Sequence, residues 1–278
     1  VDIEVTVSQN YKIENLSIDG NSVTRVIIPF SDVEGEIGHP EMRVYRRLIE
    51  VPVNIDDVDY SIDYWEYYPD EKLKYILFPV QPSWEKISGK SKPPFTRVDS
   101  AYTSGKVYKS NPISLSYFGI VRGRKLYELK VNLLQYDTNN NTIRVLKLLK
   151  GKIFWKSPKS IIVRDSKYIS SYVDKIWDSL IINKGFFDSL EKSQYNVPTG
   201  LLVITSSAIQ GASEIPNWVT WKTQRGFAVT VERVSNIGST NTAIKQYIRN
   251  AYYNWDIPPS FVVLFGDVPD VPTFQGYA

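Results

Sequence analysis

The sequence predicts a multidomain α+β protein, in which an antiparallel β-sandwich precedes the first strands of a parallel α/β sheet. Three observations lead to this fold class. Apolar and polar residues alternate in several short runs before residue 165, as half-buried strands require. Strand-like and helix-like runs then follow one another in strict order between residues 199 and 278. A polar, proline-terminated stretch lies between these parts and indicates a domain boundary.

The N-terminal part, residues 1–165, is predicted to be all β. Val1 to Val7 alternates apolar and polar residues with a period of two. Similar runs, rich in β-branched and aromatic residues and bounded by turn residues, are Val23 to Phe30, Tyr45 to Val53, Lys72 to Val80, and a hairpin of Tyr127 to Leu133 and Ile143 to Trp155 around Asp137 to Asn141. Several such strands without a helical pattern among them favour an antiparallel sandwich.

The strand pattern is interrupted between Pro82 and Pro112. This segment contains four prolines, two glycines and many lysine and serine residues, so we expect a long exposed loop. Long loops on a rigid sandwich often carry function, but an ordinary mobile insertion explains the composition equally well.

Residues 166–198 are predicted to be a helical linker. Ser170 and Ser171 precede apolar residues at helical spacing, and a second short helix is predicted over Phe186 to Leu190. The following stretch, Glu191 to Pro198, is polar until its end, so we expect it to be accessible to proteases.

The C-terminal part, residues 199–278, is predicted to contain three parallel strands and two crossover helices. The strands are Leu201 to Ile204, Phe227 to Val234 and Phe261 to Phe265, and the helices are capped by Ser213 and Thr240. Three strands alone leave an open hydrophobic edge. We therefore expect further strands to come from another chain or from a continuation of this one.

Composition and charge narrow the classes of function. The chain has 278 residues, of which 42% are hydrophobic and 13% aromatic, which is enough for a core of ordinary size. The formal charge of +3 is spread along the chain and does not indicate nucleic acid or an anionic membrane as a partner. No apolar run approaches the roughly 20 residues of a membrane span. The many tyrosines and tryptophans fit a carbohydrate-binding face, but aromatic-rich sandwich strands explain them better.

Catalytic side chains are scarce. The sequence contains no cysteine, which excludes disulfides, thiolate metal sites and thiol catalysis within this chain. The single histidine, His39, lies beside Pro40 in the β part and is interpreted as structural. Ser206 and Ser207 have no histidine in their part of the chain to activate them, so they are interpreted as strand-end caps. No catalytic residue is assigned to this chain.

Several motifs together carry a resemblance to a known family. In the C-terminal part these are Trp218-Val-Thr-Trp-Lys222, Gln224-Arg-Gly-Phe-Ala-Val229, Ile244-Lys-Gln-Tyr-Ile248 with Tyr252, and Val262-Val-Leu-Phe-Gly-Asp267 with Val271-Pro272. They resemble the start of the gingipain-type cysteine peptidase domain. In the N-terminal part, Gly35-Glu36, His39-Pro40 before Val44, and Tyr117 to Tyr136 with Arg122-Gly123 are similar to the propeptide of that family.

The resemblance implies an N-terminal β-sandwich prodomain followed by the first strands of a caspase-like α/β sheet. It further implies the N-terminal chain of a secreted gingipain-like cysteine endopeptidase zymogen, acting outside the cell or at its surface on protein or peptide substrates. Family members use a Cys and a His located downstream of the matching segment. These would come from a C-terminal portion or second chain of the same precursor, and the chemistry needs no cofactor. No basic start followed by an apolar core is present, so we expect any signal peptide to have been removed.

Three sets of residues become candidates through this resemblance. Family prodomains resemble inhibitors that place a basic loop residue in the specificity pocket, for which the 82–112 loop offers Lys86, Lys90, Lys92 and Arg97. Maturation would cut at Lys184 or Lys192, and a further cut near Ala278 would separate the second chain. Asp267 and Asp270 stand at a strand end and suit a structural calcium ion, although stabilisation of a turn is the favoured interpretation.

Two other interpretations remain open. The first is a non-enzymatic secreted binding or adhesion protein, which the aromatic content and the missing Cys-His pair support. The second is a shortened chain, whose incomplete parallel sheet would fold poorly by itself.

Overall fold

The computed structural model describes residues 1–83, 91–156, 165–184, 198–206, 209, 211–212 and 214–274. Contacts within the chain divide it into two compact units. Unit 1 comprises Val1–Gly119 and Lys125–Ser160, and unit 2 comprises Ile120–Arg124 and Ile161–Ala278. The boundaries proposed for prodomain, linker and catalytic part remain predictions.

The larger sheet of unit 1 is built around one long strand, β12 (Thr142–Trp155). Its first residues pair with β11 (Leu134–Asp137) and β7 (Glu71–Lys72), and its later residues pair with β1 (Asp2–Thr6) and β6 (Val58–Tyr67). All four pairings are antiparallel. The short strand β8 (Val107–Tyr108) extends this sheet beyond β11.

The second sheet of unit 1 follows the order β4–β5–β10–β9. These strands span Asp32–Glu34 (β4), Met42–Val51 (β5), Ile113–Val121 (β9) and Arg124–Asn132 (β10). A separate hairpin joins β2 (Lys12–Ile18) to β3 (Asn21–Ile27), and one helical turn, α1, spans Ser100–Thr103. The prediction of antiparallel β structure in this part is confirmed.

One hydrophobic core lies between the two sheets. Ile49 of β5 and Leu129 of β10 belong to the same buried cluster as Leu149 of β12 and Ile3 of β1. Because alternate side chains of each strand face inward, both sheets bury one face against the other, which is the packing of a β-sandwich.

Four predictions for this part need correction. Tyr127 to Leu133 does not form a hairpin with Ile143 to Trp155, because β10 pairs with β5 in the second sheet and the hairpin partner of β12 is β11. The 82–112 segment is not an exposed loop throughout, because α1 buries Ala101 and Tyr102 and β8 pairs with β11.

Two predicted strands also differ from the structure. Lys72 to Val80 is not a continuous strand: only its start lies in β7, while Leu77 and Pro79 form isolated bridges. Pro79 cannot donate a hydrogen bond to a neighbouring strand, because proline lacks a backbone N–H. The segment also bonds to Thr24, whose N–H donates to Ile76 O at 2.9 Å and whose carbonyl accepts from Phe78 N at 2.7 Å. The strand predicted to reach Phe30 ends at Ile27. The strands β2, β4, β6, β8, β9 and β11 were not among those predicted.

Unit 2 contains a parallel sheet in the order β14–β13–β15. The strands are β13 (Thr199–Thr205), β14 (Phe227–Arg233) and β15 (Pro259–Phe265). Helices α2 (Ser171–Asp178), α3 (Glu214–Gln224), α4 (Val234–Ile237) and α5 (Asn241–Asn254) accompany them, after a 3-10 turn at Ser166–Tyr168. The alternation predicted for residues 199–278 is confirmed for the described residues.

Capping residues begin the helices as the sequence indicates. Ser170 Oγ accepts from Val173 N at 3.5 Å, and Thr240 Oγ1 accepts from Ala243 N at 3.1 Å. Helix α2 ends at Asp178, and Gly226 follows α3 with φ +90°. The predicted cap Ser213 and the predicted helix Phe186 to Leu190 lie outside the described residues. None of the described helices has the length and hydrophobicity needed to cross a bilayer.

Candidate functional site

The carboxyl ends of the three parallel strands form the first candidate site, since open α/β sheets bind ligands at this edge. Strand β13 ends in Thr205 and is followed by Ser206, β14 ends in Glu232-Arg233, and β15 is followed by Gly266-Asp267. The Glu232 carboxylate accepts from Arg233 N at 2.8 Å and from the Asn236 amide at 2.8 Å. The pKa of the Glu232 carboxyl is lowered, and the largest cause is the hydrogen bond that it accepts from the Arg233 N–H.

Asp267 and Asp270 hold the turn that follows β15. Asp267 Oδ1 accepts from Val268 N at 2.7 Å, and Asp267 O accepts from Asp270 N at 2.8 Å. A weaker contact joins Asp267 N to Asp270 Oδ2 at 3.4 Å. Both carboxylates therefore contact backbone N–H groups, in agreement with the turn-forming interpretation of these residues.

Gly266 makes this tight turn sterically feasible. Its φ is +145°, and a Cβ at this position would lie 2.6 Å from Asp270 Cβ and 3.0 Å from a Val271 methyl carbon. Any side chain here would displace the turn. Within the described residues no group of three or more His, Cys, Asp and Glu side chains is placed to hold a metal ion.

Ser206 acts as a cap at the end of β13. Its Oγ accepts from Ile209 N at 3.3 Å, the geometry of a local cap. The only histidine of the sequence, His39, belongs to unit 1. Ser207 lies outside the described residues.

His39 is tied into the backbone of unit 1. Its N–H donates to Glu36 O at 3.0 Å, and its carbonyl accepts from Val80 N at 2.8 Å. Its Nδ1 is buried and lies 3.7 Å from a Glu36 carboxylate oxygen, beyond hydrogen-bond distance. These contacts are those of a residue that joins two loop segments.

The predicted inhibitory loop is anchored to unit 1 at its C-terminal side. The Gln81 amide donates to Thr96 O at 2.9 Å and its Oε1 accepts from Thr96 N at 2.9 Å, while the Phe95 and Phe78 rings pack edge to face with centroids 6.4 Å apart. Of the basic candidates, Lys92 lies 3.6 Å from the Asp19 carboxylate and is 59% exposed.

Arg97 is held more firmly than Lys92. Its Nε donates to Asp99 Oδ1 at 2.6 Å, and its side chain is 39% exposed. The other two candidates, Lys86 and Lys90, lie outside the described residues. Which of these four side chains inhibits the peptidase remains untested.

Of the three predicted processing positions, only Lys184 lies in the part of the chain that the structure describes. Lys184 is exposed and lies in a turn after α2. Lys192 and Ala278 lie outside the described residues. Exposure in a turn is the condition that a protease requires of its cleavage site.

A buried arginine cluster in unit 2 was not predicted. Arg124 is 5% exposed, and its guanidinium lies 3.1 Å from Asp178 Oδ1 and 3.5 Å from Asp174 Oδ1. Arg122 donates to Tyr168 O at 2.9 Å. Arg122 lies in the Arg122-Gly123 turn, whose positive φ angles of 49° and 76° give a tight reversal, and Arg124 is the first residue of β10. Only the turn itself was recognisable in the sequence, because its carboxylate partners lie about 50 residues later.

Comparisons with known proteins agree with these observations. Residues 194–278, which include the parallel sheet, match the sequence profile of Peptidase family C25. Lys-gingipain of Porphyromonas gingivalis is 27% identical over 267 residues, covering 92% of this chain. Gingipain R1 of the same organism is 22% identical over 206 residues, covering 73% of this chain. The chain spans 15% of the length of Lys-gingipain and 20% of that of gingipain R1.

Two solved structures share the fold. One comes from work on the zymogenic latency of gingipain K from Porphyromonas gingivalis, with a TM-score of 0.50, 24% identity, and coverage of 56% of this chain and 87% of that chain. The other is a complex of the Porphyromonas gingivalis RgpB pro- and mature domains, with a TM-score of 0.52, 14% identity, and coverage of 66% and 91%. The resemblance of this chain to the gingipain-type cysteine peptidases is thereby confirmed.

Proposed function

We propose that this chain is the N-terminal part of a secreted gingipain-like cysteine endopeptidase zymogen. In this proposal residues 1–165 are an inhibitory prodomain, residues 166–198 a linker that is cut during maturation, and residues 199–278 the first strands of a caspase-like catalytic sheet. The catalytic Cys and His belong to a C-terminal portion or second chain. The complete enzyme acts on proteins or peptides outside the cell or at its surface.

The observation that carries this proposal is the position of the Peptidase family C25 match. It covers residues 194–278, the part with the parallel sheet β14–β13–β15. The similarity to Lys-gingipain extends through the preceding β part as well. A prodomain followed by a catalytic scaffold is the simplest arrangement that accounts for both.

The chemistry explains why a further portion is required. A cysteine peptidase needs a thiolate held near an imidazole, with N–H donors directed at the developing oxyanion. The sequence contains no cysteine, and the serine at the end of β13 caps a turn. This chain therefore contributes scaffold, and hydrolysis depends on the portion that carries the two catalytic groups.

Inhibition is proposed to come from a basic side chain of the 82–112 loop. A cation paired with a carboxylate in the specificity pocket blocks substrate entry through a charge-assisted hydrogen bond. Arg97 is already paired with Asp99 at 2.6 Å, whereas Lys92 lies 3.6 Å from the Asp19 carboxylate, so Lys92 is the freer of these two candidates. Lys86 and Lys90 stay candidates because the resemblance implies a basic loop residue.

An inhibition assay on the isolated catalytic portion tests this proposal. The present chain should inhibit hydrolysis of a lysine or arginine peptide substrate. Replacing Lys86, Lys90 and Lys92 together by glutamine should weaken inhibition by about tenfold or more, the effect of losing roughly 1.4 kcal/mol of binding free energy. The matched control is Arg97→Gln, which should leave inhibition nearly unchanged. Unaltered inhibition by the triple variant would exclude these three lysines, and unaltered inhibition after Arg97→Gln is added to it would exclude all four candidates of the loop. Absence of hydrolysis by the complete protein would exclude the peptidase.

A structural calcium ion at Asp267 and Asp270 stays a prediction. Two carboxylates at a strand end supply oxygen ligands of the kind that calcium prefers. If the ion is bound, a chelator should lower the thermal unfolding temperature of the native protein, and Asp270→Asn should abolish that effect. An unfolding temperature that does not change with chelator would exclude the site.

A further inference from the structure

A groove of about 350 Å³ runs along one edge of unit 1, apart from all the candidate residues considered above. Its size is within the range of roughly 300–1,000 Å³ that ligand sites occupy. One wall is formed by the chain at and after β1, the other by two residues of β5 and by the turn after β3. The residues are Glu4, Val5, Thr6, Val7, Ser8, Asn10, Ile28, Pro29, Phe30, Tyr45, Arg47 and Leu133.

Strand β1 presents an open backbone edge to this groove. It is the terminal strand of its sheet, and in the described part of the chain it pairs with β12 alone. Val1 and Val7 both donate backbone bonds to β12, at 2.7 and 3.1 Å. Because antiparallel pairing alternates along a strand, the N–H groups of Glu4 and Thr6 point away from β12.

The opposite wall carries a positive charge that is not paired with a carboxylate. The Arg47 guanidinium lies over the Tyr45 ring, 4.4 Å from its centroid, and donates to Arg46 O at 2.8 Å. It forms no ion pair with any described residue. Glu4, the acidic residue of the groove, is held 3.4 Å from the Lys150 ammonium. A stacked guanidinium keeps donors available for a planar carboxylate.

An exposed aromatic residue stands at the rim. Phe30 is 95% exposed, and its φ of 58° lies in the left-handed region that bulky residues rarely adopt. Ser31 fixes this turn, since its N–H and its hydroxyl both donate to Ile28 O. The turn therefore places an apolar ring in solvent beside the groove, where it is available to a bound chain.

We propose that this groove binds an extended peptide segment that carries an acidic side chain. The peptide adds to the open edge of β1 and pairs with the backbone of Glu4 and Thr6. Its carboxylate binds Arg47, and its neighbouring apolar side chains pack against Phe30 and the buried groove lining. The main-chain bonds supply affinity for any strand, and Arg47 supplies the preference for an acidic residue. This inference does not depend on the proposed peptidase function.

The test uses the complete chain and a fluorescein-labelled peptide of eight alternating threonine and valine residues with one central glutamate. Fluorescence anisotropy should show saturable binding. The same peptide with a central lysine should bind at least about tenfold more weakly, a difference of roughly 1.4 kcal/mol. Arg47→Glu should reverse this preference, and the control Lys72→Glu, at an exposed position of β7, should not.

A second variant examines the backbone edge. Thr6→Pro removes an outward N–H and leaves the bonds to β12 intact, so both peptides should bind more weakly while circular dichroism stays that of the parent. Equal binding of the two peptides, an Arg47→Glu variant without effect, or dimerisation of the chain through this edge without peptide binding would each overturn the proposal.

Discussion

Single residues of unit 2 show how closely its strands approach one another. Gly200 lies in β13 where that strand meets the start of β15. A Cβ on Gly200 would lie 2.4 Å from Pro258 O and 3.0 Å from Pro258 C. These are backbone atoms and cannot move aside by changing a rotamer.

We therefore predict that Gly200→Ala destabilises unit 2, because the added methyl group forces β13 and β15 apart. The expected loss is about 1–3 kcal/mol, as for other overpacked cores. The control is Gly226→Ala, whose Cβ meets nothing within 4 Å although its φ of +90° is unfavourable for alanine. Urea unfolding monitored by tryptophan fluorescence should give the larger decrease for Gly200→Ala, and equal decreases would contradict the clash.

A second residue, Glu34, makes the stability of unit 1 sensitive to acid. Burial raises its pKa, but hydrogen bonds from Lys109 and Lys130 lower it more, so the net pKa lies below the ordinary 4.5. A carboxylate with a lowered folded-state pKa stabilises the protein above the unfolded-state pKa, and this contribution is lost as pH falls through the folded-state value.

Glu34→Gln should accordingly reduce the free energy of unfolding above pH 4.5, and the difference from the parent should shrink below that pH. Chemical unfolding from about pH 3 to about pH 7 measures this difference on both sides of the ordinary glutamate pKa. The exposed Asp57 provides the control variant Asp57→Asn, for which the difference should stay small. A difference for Glu34→Gln that grows as pH falls would refute the assignment.

At the scale of elements, helix α5 shows how a local cap fixes the start of a helix. Thr240 has extended backbone angles and its hydroxyl accepts from Ala243 N, so it satisfies one of the N–H groups that a helix leaves without a partner. The buried residues Ile244 and Ala251 then hold the helix against Leu202 and Ile204 of β13.

Thr240→Ala should therefore destabilise the protein by about 1 kcal/mol, the usual value of a lost N-cap. Thr242→Ala is the matched control, because Thr242 is exposed in the first turn of the same helix. It should be neutral or slightly stabilising, since alanine is the better helix former. Thermal unfolding of both variants checks this, and equal destabilisation would contradict the capping assignment.

Local signals explain which elements could be predicted from sequence. The caps Ser170 and Thr240 lie within a few residues of the N–H groups they bind, so the pattern alone identifies them. The segment Lys72 to Val80 has strand-like composition, but its backbone hydrogen bonds join it to Thr24, His39 and Glu41, which no local pattern reveals. Strand β6 was missed although Val58, Tyr60 and Ile62 alternate with polar residues.

The same contrast between local and distant sequence signals applies to the candidate sites. The turn-forming behaviour of Asp267 and Asp270 follows from adjacent residues and was anticipated. The burial of Arg124 between Asp174 and Asp178, and the groove beside Arg47, depend on residues far apart in sequence. Phe30 was assigned to a strand, and its full exposure follows from a left-handed turn that phenylalanine does not favour.

At the scale of the whole molecule, maturation is the process that the proposed function predicts most directly. Lys184 is exposed in a turn. N-terminal sequencing of the mature peptidase should find a new terminus at Gly185 or at Ser193, the residues after the two candidate lysines. Replacing Lys184 and Lys192 together by alanine should block that cleavage, whereas Lys175→Ala, a substitution within α2, should not. A mature terminus elsewhere would refute both sites.

The order of strands in unit 2 has a consequence for biosynthesis. Strand β13 is synthesised first, yet it occupies the centre of the sheet, and all seven of its residues are buried. Its partner β15 begins at residue 259, so the apolar run at Leu201–Ile204 lacks this neighbouring strand until more than fifty further residues have been translated. Translation adds about 5–20 residues each second, which leaves this run without its partner for several seconds. During that interval the run is open to association with other nascent chains, so we expect chaperones to raise the yield of folded protein during synthesis.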